Sequence, residues 1–351
     1  MARYASPEYV RFAEQALMEL IRQEGAVLVR EAEAKISEQR WPSVPTSVDP
    51  HHLTTARQHL LQRGWMKLSA PIDASGTQFM QPTDERGKKE AIRTASKRKR
   101  RLHGRMEKWA RPTSRYPAGL LGEAGERVVR ASLDAAALRG MRPVFPGGGE
   151  VAGLLGAPVQ GGPLDAAAWA DQLDEYGRST GSVLCPIEVK NIRHWLYPIH
   201  HELFQLLHKS ALLQQANPDE PIHPVLITRK RAWITEQMSR DLGFRVIDLN
   251  KQFVLPTEDV DAEHVEEVRR ELGYKDLTRS DGADQTLTGI LAGSVRTTAQ
   301  ANSKLWLEHG SKLTEHYETL RSTSLSQRER DAAMNELREA ADENDSRSRP
   351  W

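Results

Sequence analysis

Apolar residues recur at helical spacing from the start of the chain. Val10, Ala13, Leu17, Leu20 and Ile21 fall on one face. Ser6-Pro7 offers a cap and first-turn pair, and Gly25 offers a stop. A second, shorter helix is expected from about Leu28 to Glu38, followed by the proline- and serine-rich loop WPSVPTSVDP. A third helix is expected after Asp49-Pro50, turning Leu53, Ala56, Leu60 and Leu61 inward and ending at Gly64. The runs WMKL and TQFMQ flank the turn-forming APIDASG and read as a hairpin.

The pattern changes at about residue 115. A helix, AGLLGEAGERVVRASLDAAALRG, precedes the short strand RPVF and the glycine-rich PGGGE. The strand-like PLDAAAWA, the polar turn DQLDEYGRSTGS and the strand VLCPIEVKN come next. Helix HHELFQLLHKSALLQQA, strand PVLIT, helix AWITEQMSRDLG and strand FRVIDL complete an alternating series. Such alternation predicts an α/β fold, a mixed central sheet flanked by helices. Beyond Pro256, GYKDLTRSDGADQTLTG reads as an exposed linker. ANSKLWLEHGSKLTEHYETLR and SLSQRERDAAMNELREAADE read as helices, the second with Ser326 and Glu329 at capping-box spacing. Trp306, Leu313, Tyr317 and Leu320 form a stripe that docks on the core by default, or on a second subunit or partner protein. The final NDSRSRPW reads as disordered. The expected divisions are residues 1–84, a basic linker helix over 85–114, an α/β domain over 115–256 and a helical extension over 257–351.

Composition narrows the class. The 351 residues are 38% hydrophobic and 28% charged, as in soluble proteins with packed cores. No apolar run is long enough to span a bilayer, and MARYASPEYVRF lacks a secretion-signal pattern. The single cysteine, Cys185, rules out an intrachain disulfide and argues against a thiolate-rich zinc site, so a reducing cytoplasmic location is expected. The formal net charge is +1, yet residues 86–111 are dense in Lys and Arg with only Glu90 and Glu107 opposing them. Five adjacent cations, Lys97, Arg98, Lys99, Arg100 and Arg101, repel one another unless an anion is near, and a phosphate backbone is one such anion.

Three short helices and a hairpin, over about residues 5–83, resemble a winged helix-turn-helix domain. That resemblance implies a third helix in the DNA major groove and a hairpin on the backbone. The third helix offers His51, His52, Thr54, Thr55, Arg57, Gln58 and Arg63 on its polar side. The alternative is a solvated helix face in a protein-interaction module.

Strand alternation along VLCPIEVKN puts Val183, Cys185, Ile187 and Val189 on one face, and Leu184, Pro186, Glu188 and Lys190 on the other. Glu188 and Lys190 are thus neighbours, roughly 7 Å apart at Cα. Buried charges need a partner, a metal or a substrate, and a simple ion pair is the plainest answer. Asp165 lies in another strand-like run upstream, and two carboxylates on adjacent strands can share a hard cation such as Mg²⁺. Such an ion lowers the pKa of a bound water and stabilises charge on a phosphate. Glu123 and Glu126 are three apart on the helix before that and project to roughly one side.

In that order, GEAGERVV, PLD and IEVK are similar to the PD-(D/E)xK nuclease superfamily, which includes restriction endonucleases and archaeal Holliday-junction resolvases. The similarity covers about residues 115–255. It implies that Glu126 (or, second, Glu123), Asp165 and Glu188 hold Mg²⁺, with Mn²⁺ as a substitute. It implies that Lys190 assists the attacking water and that Gln205, ahead of His201 or Lys209, is the polar residue of the following helix. PLD departs from the family's Pro-Asp, and Asp174 or Glu175 competes with Asp165 as ligand. The implied activity is a metal-dependent DNA endonuclease in bacterial defence or repair, acting on double-stranded DNA. The rivals are a DNA-binding regulator without catalysis and a subunit active only with a partner. His51-His52 and His200-His201 are adjacent pairs that cannot both face one metal, and PGGGE lacks the residues of a P-loop. Trp195 and Tyr197 are set either for stacking on bases or for packing.

Overall fold

The computed structural model describes residues 6–39, 41–85, 87–146, 148–343 and 351. The chain divides into two compact units, one of residues 1–111 and 257–277, the other of residues 112–256 and 278–351.

In the first unit, α1 (Pro7–Glu24) buries Val10, Ala13, Ala16, Leu17, Leu20 and Ile21. It ends at Gly25, whose φ of 74° favours glycine; a Cβ there would meet Ile92 Cγ1 at 3.1 Å. A two-residue strand, β1 (Val27–Leu28), leads into α2 (Val29–Ala32) and a wider helical turn through Ser37. Helix α3 (Pro50–Gln62) is capped by Asp49, whose side chain accepts from the His51 backbone N–H. The expected hairpin is β2 (Met66–Leu68) with β3 (Phe79–Pro82), and β1 joins it in the antiparallel order β1-β3-β2. Strand β1 escaped the sequence reading because two residues cannot display alternation.

The basic segment forms α4 (Lys89–Ala110), which buries Ile92, Ala95, Leu102, Met106 and Trp109. It belongs to the first unit rather than standing alone as a linker, and helix Ala262–Leu272 of the same unit supplies its counter-charges. Arg98 pairs with Glu271 at 3.1 Å, Arg105 with Glu267 at 2.8 Å, and Arg101 also with Glu267. Lys99 is fully buried, 2.6 Å from Glu31 and 3.0 Å from Glu24. The expectation that Lys99 meets DNA is therefore corrected: its ammonium closes a buried carboxylate cluster. Arg98 and Arg101 are engaged by protein acids at the surface. Among the described residues no ion pair involves Lys97 or Arg100, and both are exposed. Arg86 lies outside the described residues. On α3, His52 is buried and stacked on Tyr9, with ring centroids 5.2 Å apart, so it is withdrawn from the polar face. Gln58 is exposed, Arg57 half-buried, and Arg63 is exposed and paired with Glu14.

The second unit opens with α5 (Gly119–Ala136), then β4 (Met141–Pro143) and a small hairpin of β5 (Gly153–Leu154) and β6 (Ala157–Pro158) that the sequence reading lacked. Strands β7 (Ala166–Leu173) and β8 (Ser179–Lys190) form a long hairpin. Then come α6 (His201–Ala216), β9 (Val225–Thr228), α7 (Trp233–Leu242), β10 (Arg245–Asp248) and β11 (Gln252–Val254). The five-stranded sheet has the order β10-β9-β8-β7-β4. The pairs β4/β7 and β7/β8 are antiparallel, and β8/β9 and β9/β10 parallel. The α/β class is as expected. Val183, Cys185, Ile187, Val225 and Ile227 pack on one face with α5 residues Val129, Leu133 and Ala136. Leu184, Ala167 and Leu226 pack on the other with α6 residues Leu203, Phe204 and Leu207.

The segment beyond residue 277 completes this core instead of extending from it. Leu287, Leu291, Val295 and Ala299 cover the α5 face. Trp306, Leu313, Tyr317 and Leu320 are buried on the α6 face, with Tyr317 stacked on Phe204 and Trp306. That stripe is thereby consumed inside the unit and is not left for a second subunit or partner. The stretch expected as a linker, from Gly273, instead holds buried Tyr274 and Leu277 and the helix Gln285–Ile290. The capping box forms as expected: the Ser326 N–H donates to Glu329 Oε2 at 2.8 Å. Residues 344–350 of the tail lie outside the described residues, while Trp351 is buried and donates to Asp241 Oδ2. Among the described residues, no helix is long and apolar enough to cross a membrane.

Candidate active site

Register brings the charged residues together. Ala166 pairs with Ile187 across the β7/β8 hairpin, so Asp165, one residue before β7, faces Glu188. Val189 N–H donates to Asp165 Oδ2 at 2.6 Å, fixing that carboxylate at the strand mouth. Asp174 sits at the far tip of the hairpin, nine residues on and roughly 30 Å away at strand rise. There it accepts from the Tyr176 and Arg178 backbone N–H groups, both at 2.9 Å. Asp165, and not Asp174, therefore lies beside Glu188, and Glu175 shares the tip.

Glu188 is 2% exposed and held from two sides. Lys190 Nζ donates to its Oε2 at 3.0 Å and Lys209 Nζ to its Oε1 at 2.6 Å. Lys190 also donates to Gln205 Oε1 at 2.8 Å, and Lys209 also to the Pro163 carbonyl. Gln205 and Lys209 are four apart on α6 and so lie on one helical face. Sequence reasoning ranked Lys209 behind Gln205; both touch the site.

Electrostatics follow from this packing. Burial, then the neighbouring Glu188 charge, push the Asp165 carboxyl up to about 7 against the pull of Lys190. Burial would raise Glu188 as well, but Lys190 and Lys209 outweigh it and hold that carboxyl low. Burial works against the Lys190 ammonium, yet Glu188 and Asp165 raise its pKa. Glu126 is raised, chiefly by burial, although Arg130 donates to its Oε2 at 2.7 Å. The same Arg130 donates to the Asp165 carbonyl at 3.0 Å, which ties the helix acid to the strand acid. Glu123 is turned toward Arg127, 3.8 Å away.

Helix α5 approaches β8 closely because residue 125 is glycine. A Cβ there would lie 2.7 Å from Asn191 Cβ. Asn191 in turn donates to the Leu121 and Phe253 carbonyls at 2.6 and 2.7 Å and accepts from the Phe253 N–H at 3.0 Å. These bonds lock the end of β8 between α5 and β11. Cys185 is fully buried, its thiol pushed up to about 12, and takes no part.

A second cluster lies on the loop from β8 into α6. His194, His200 and Glu202 bring ligand atoms within 4.8 Å of one another. The sequence reading passed over it by weighing only the adjacent His200-His201. The signal available was the His-x5-His-x-Glu spacing across a strand end and a helix start. Burial works against the Glu202 charge, but a hydrogen bond with His194 and the residue's own backbone N–H hold it down to about 2. Trp195, near the cluster, carries the Lys230 ammonium 4.9 Å over its ring. Comparison with protein-family models, with curated proteins and with solved structures finds no match.

Proposed function

We propose that the second unit is a metal-dependent phosphodiesterase of the PD-(D/E)xK type acting on DNA, and that the first unit, read as a winged helix, contributes DNA binding. One observation carries the reading. Two carboxylates, Asp165 and Glu188, meet across one hairpin register with a lysine two residues on, at the mouth of a mixed sheet. The donor set is all oxygen, and among the described residues no ion pair closes on Asp165, which accepts only the Val189 N–H at its Oδ2; that suits a hard divalent ion. Asp165 and Glu188 would hold Mg²⁺ or Mn²⁺, with Glu126 beyond them once released from Arg130. The ion supplies charge stabilisation on the phosphate. Lys190, held by Gln205 and Glu188, orients water and stabilises the developing negative charge. Val189 N–H fixes Asp165, and Arg130 positions the strand end. The DNA-facing residues on this reading are Arg57, Gln58, Arg63, Lys97 and Arg100.

A second reading, a DNA-binding regulator that keeps the scaffold without cleavage, is favoured by the double occupation of Glu188. Both its oxygens already receive an ammonium group. Supercoiled plasmid incubated with the full chain and Mg²⁺ or Mn²⁺ separates the two. The proposal predicts nicking that is lost in Asp165→Ala, whereas the second reading predicts binding with no nicking under either metal.

A further inference from the structure

We propose that His194, His200 and Glu202 form a binding site for a borderline transition-metal cation, Zn²⁺ being the natural probe, separate from the carboxylate pair at Asp165 and Glu188. Two imidazoles and one carboxylate within 4.8 Å of one another make a mixed nitrogen and oxygen donor set. Such a set suits Zn²⁺ and its neighbours over Mg²⁺, which favours oxygen and keeps its waters. Three protein donors also leave a fourth position open to water or a ligand.

The donors are organised by their surroundings. Leu196, between the two histidines, is fully buried. Its N–H donates to the Lys230 carbonyl at 2.9 Å, and its carbonyl accepts from the Ala232 N–H at 2.9 Å and from Thr235 Oγ1 at 2.8 Å. This clamp fixes the loop. His200 is the N-cap residue of α6, its N–H donating to the Tyr197 carbonyl at 3.1 Å, and Glu202 lies in the first turn. The two imidazole rings meet edge to face, with centroids 4.9 Å apart. Glu202 Oε1 faces His194 Nε2 at 3.5 Å, while Oε2 lies 3.3 Å from His201 Nδ1. His201 thus acts from outside the donor set, as a positioning residue for the Glu202 carboxylate. Side-chain exposures of 26% at His194 and 17% at Glu202 leave the cluster reachable from solvent without being washed by it. Glu202 also precedes Gln205 by three residues on α6, which ties this loop to the Lys190 contact. The site needs no phosphodiester chemistry and stands whether or not the second unit cuts DNA.

The test is Zn²⁺ binding by the full chain after removal of metals with a chelator, followed by competition with a chromophoric chelator and by bound-metal analysis. The expected result is one tight equivalent, lost in His194→Ala, His200→Ala and Glu202→Gln. His201→Ala should weaken it by roughly 10–100-fold, as loss of an outer partner does. Asp165→Asn should retain it. Co²⁺ should give the visible absorption of nitrogen-ligated, four-coordinate metal, absent in His194→Gln, which keeps the side-chain bulk should the alanine variant fail to fold. Wild-type protein that binds no Zn²⁺ would overturn the proposal. So would Zn²⁺ lost in Asp165→Asn but kept in His194→Gln, which would place the ion at the carboxylate pair.

Discussion

Lys209 Nζ sits 2.6 Å from Glu188 Oε1, on the oxygen that Lys190 leaves free. The buried carboxylate is thereby saturated by two ammonium groups from different elements, one on β8 and one on α6. A divalent ion approaching Glu188 must compete with Lys209. Lys209→Met should therefore cost about 1–3 kcal/mol of stability without metal, the loss of a buried charged hydrogen bond. The same variant should bind Mg²⁺ more tightly, on the order of tenfold, or about 1.4 kcal/mol. Urea unfolding with and without Mg²⁺ reads both effects. Equal Mg²⁺ stabilisation of variant and parent would show that Lys209 does not guard the carboxylate.

Gly125 lets α5 lie against the end of β8, and a methyl group there would meet Asn191 Cβ at 2.7 Å. Gly125→Ala should destabilise the second unit by about 1–3 kcal/mol despite the better helix propensity of alanine. Chemical denaturation measures it. A stabilised variant would mean that the helix moves away freely, and that Glu126 is not fixed by this contact.

The basic helix separates structural from available cations. Lys99→Met removes one partner from the buried Glu31, which keeps Lys35 at 2.7 Å, so a loss of about 3 kcal/mol is expected. Its DNA affinity at temperatures where it is folded should match the parent. Lys97→Ala and Arg100→Ala should leave stability unchanged and each lower the salt dependence of DNA binding by about one unit of slope. Binding isotherms across a salt series, beside melting curves, distinguish the two groups.

His223 is wholly buried, and burial, with a smaller push from Arg245, lowers its pKa to about 4 despite a hydrogen bond with the Gly243 backbone. The unfolded imidazole takes up a proton below its ordinary value of 6.5, while the folded one resists until about 4. The stabilising effect is thus full above pH 6.5 and is lost as pH falls toward 4, on the order of 3 kcal/mol in all. In His223→Leu that part of the acid-side slope should vanish. Denaturation midpoints between pH 7 and 4 for both proteins test the difference.

Much of the second unit was legible because its strands and helices are long and differ in period. Alternation along β8 placed Glu188 and Lys190 on one face, and the antiparallel register then put Asp165 opposite. What could not be read was charge pairing over long sequence distances. The KRKRR block resembles an anion-seeking surface, but Glu24, Glu31, Glu267 and Glu271 reach it from elements far away in the chain. Lys209 was underweighted for the same reason, since its contact with Glu188 depends on how α6 lies across the sheet. His52 was placed on the polar side of α3 because stacking on Tyr9 leaves no sequence signal. The stripe of Trp306, Tyr317 and Leu320 was visible, whereas its burial against Phe204 depended on tertiary packing.

DNA cleavage and DNA binding, measured together with Mg²⁺ for the parent and Lys190→Met, test whether the Asp165–Glu188 site hydrolyses a phosphodiester with help from Lys190. Hydrolysis at the Asp165–Glu188 site predicts that the parent cuts, and that the variant binds DNA with unchanged affinity but cuts roughly a hundredfold more slowly or worse. Equal cutting by both proteins, or binding by the parent with no cutting at all, would contradict it.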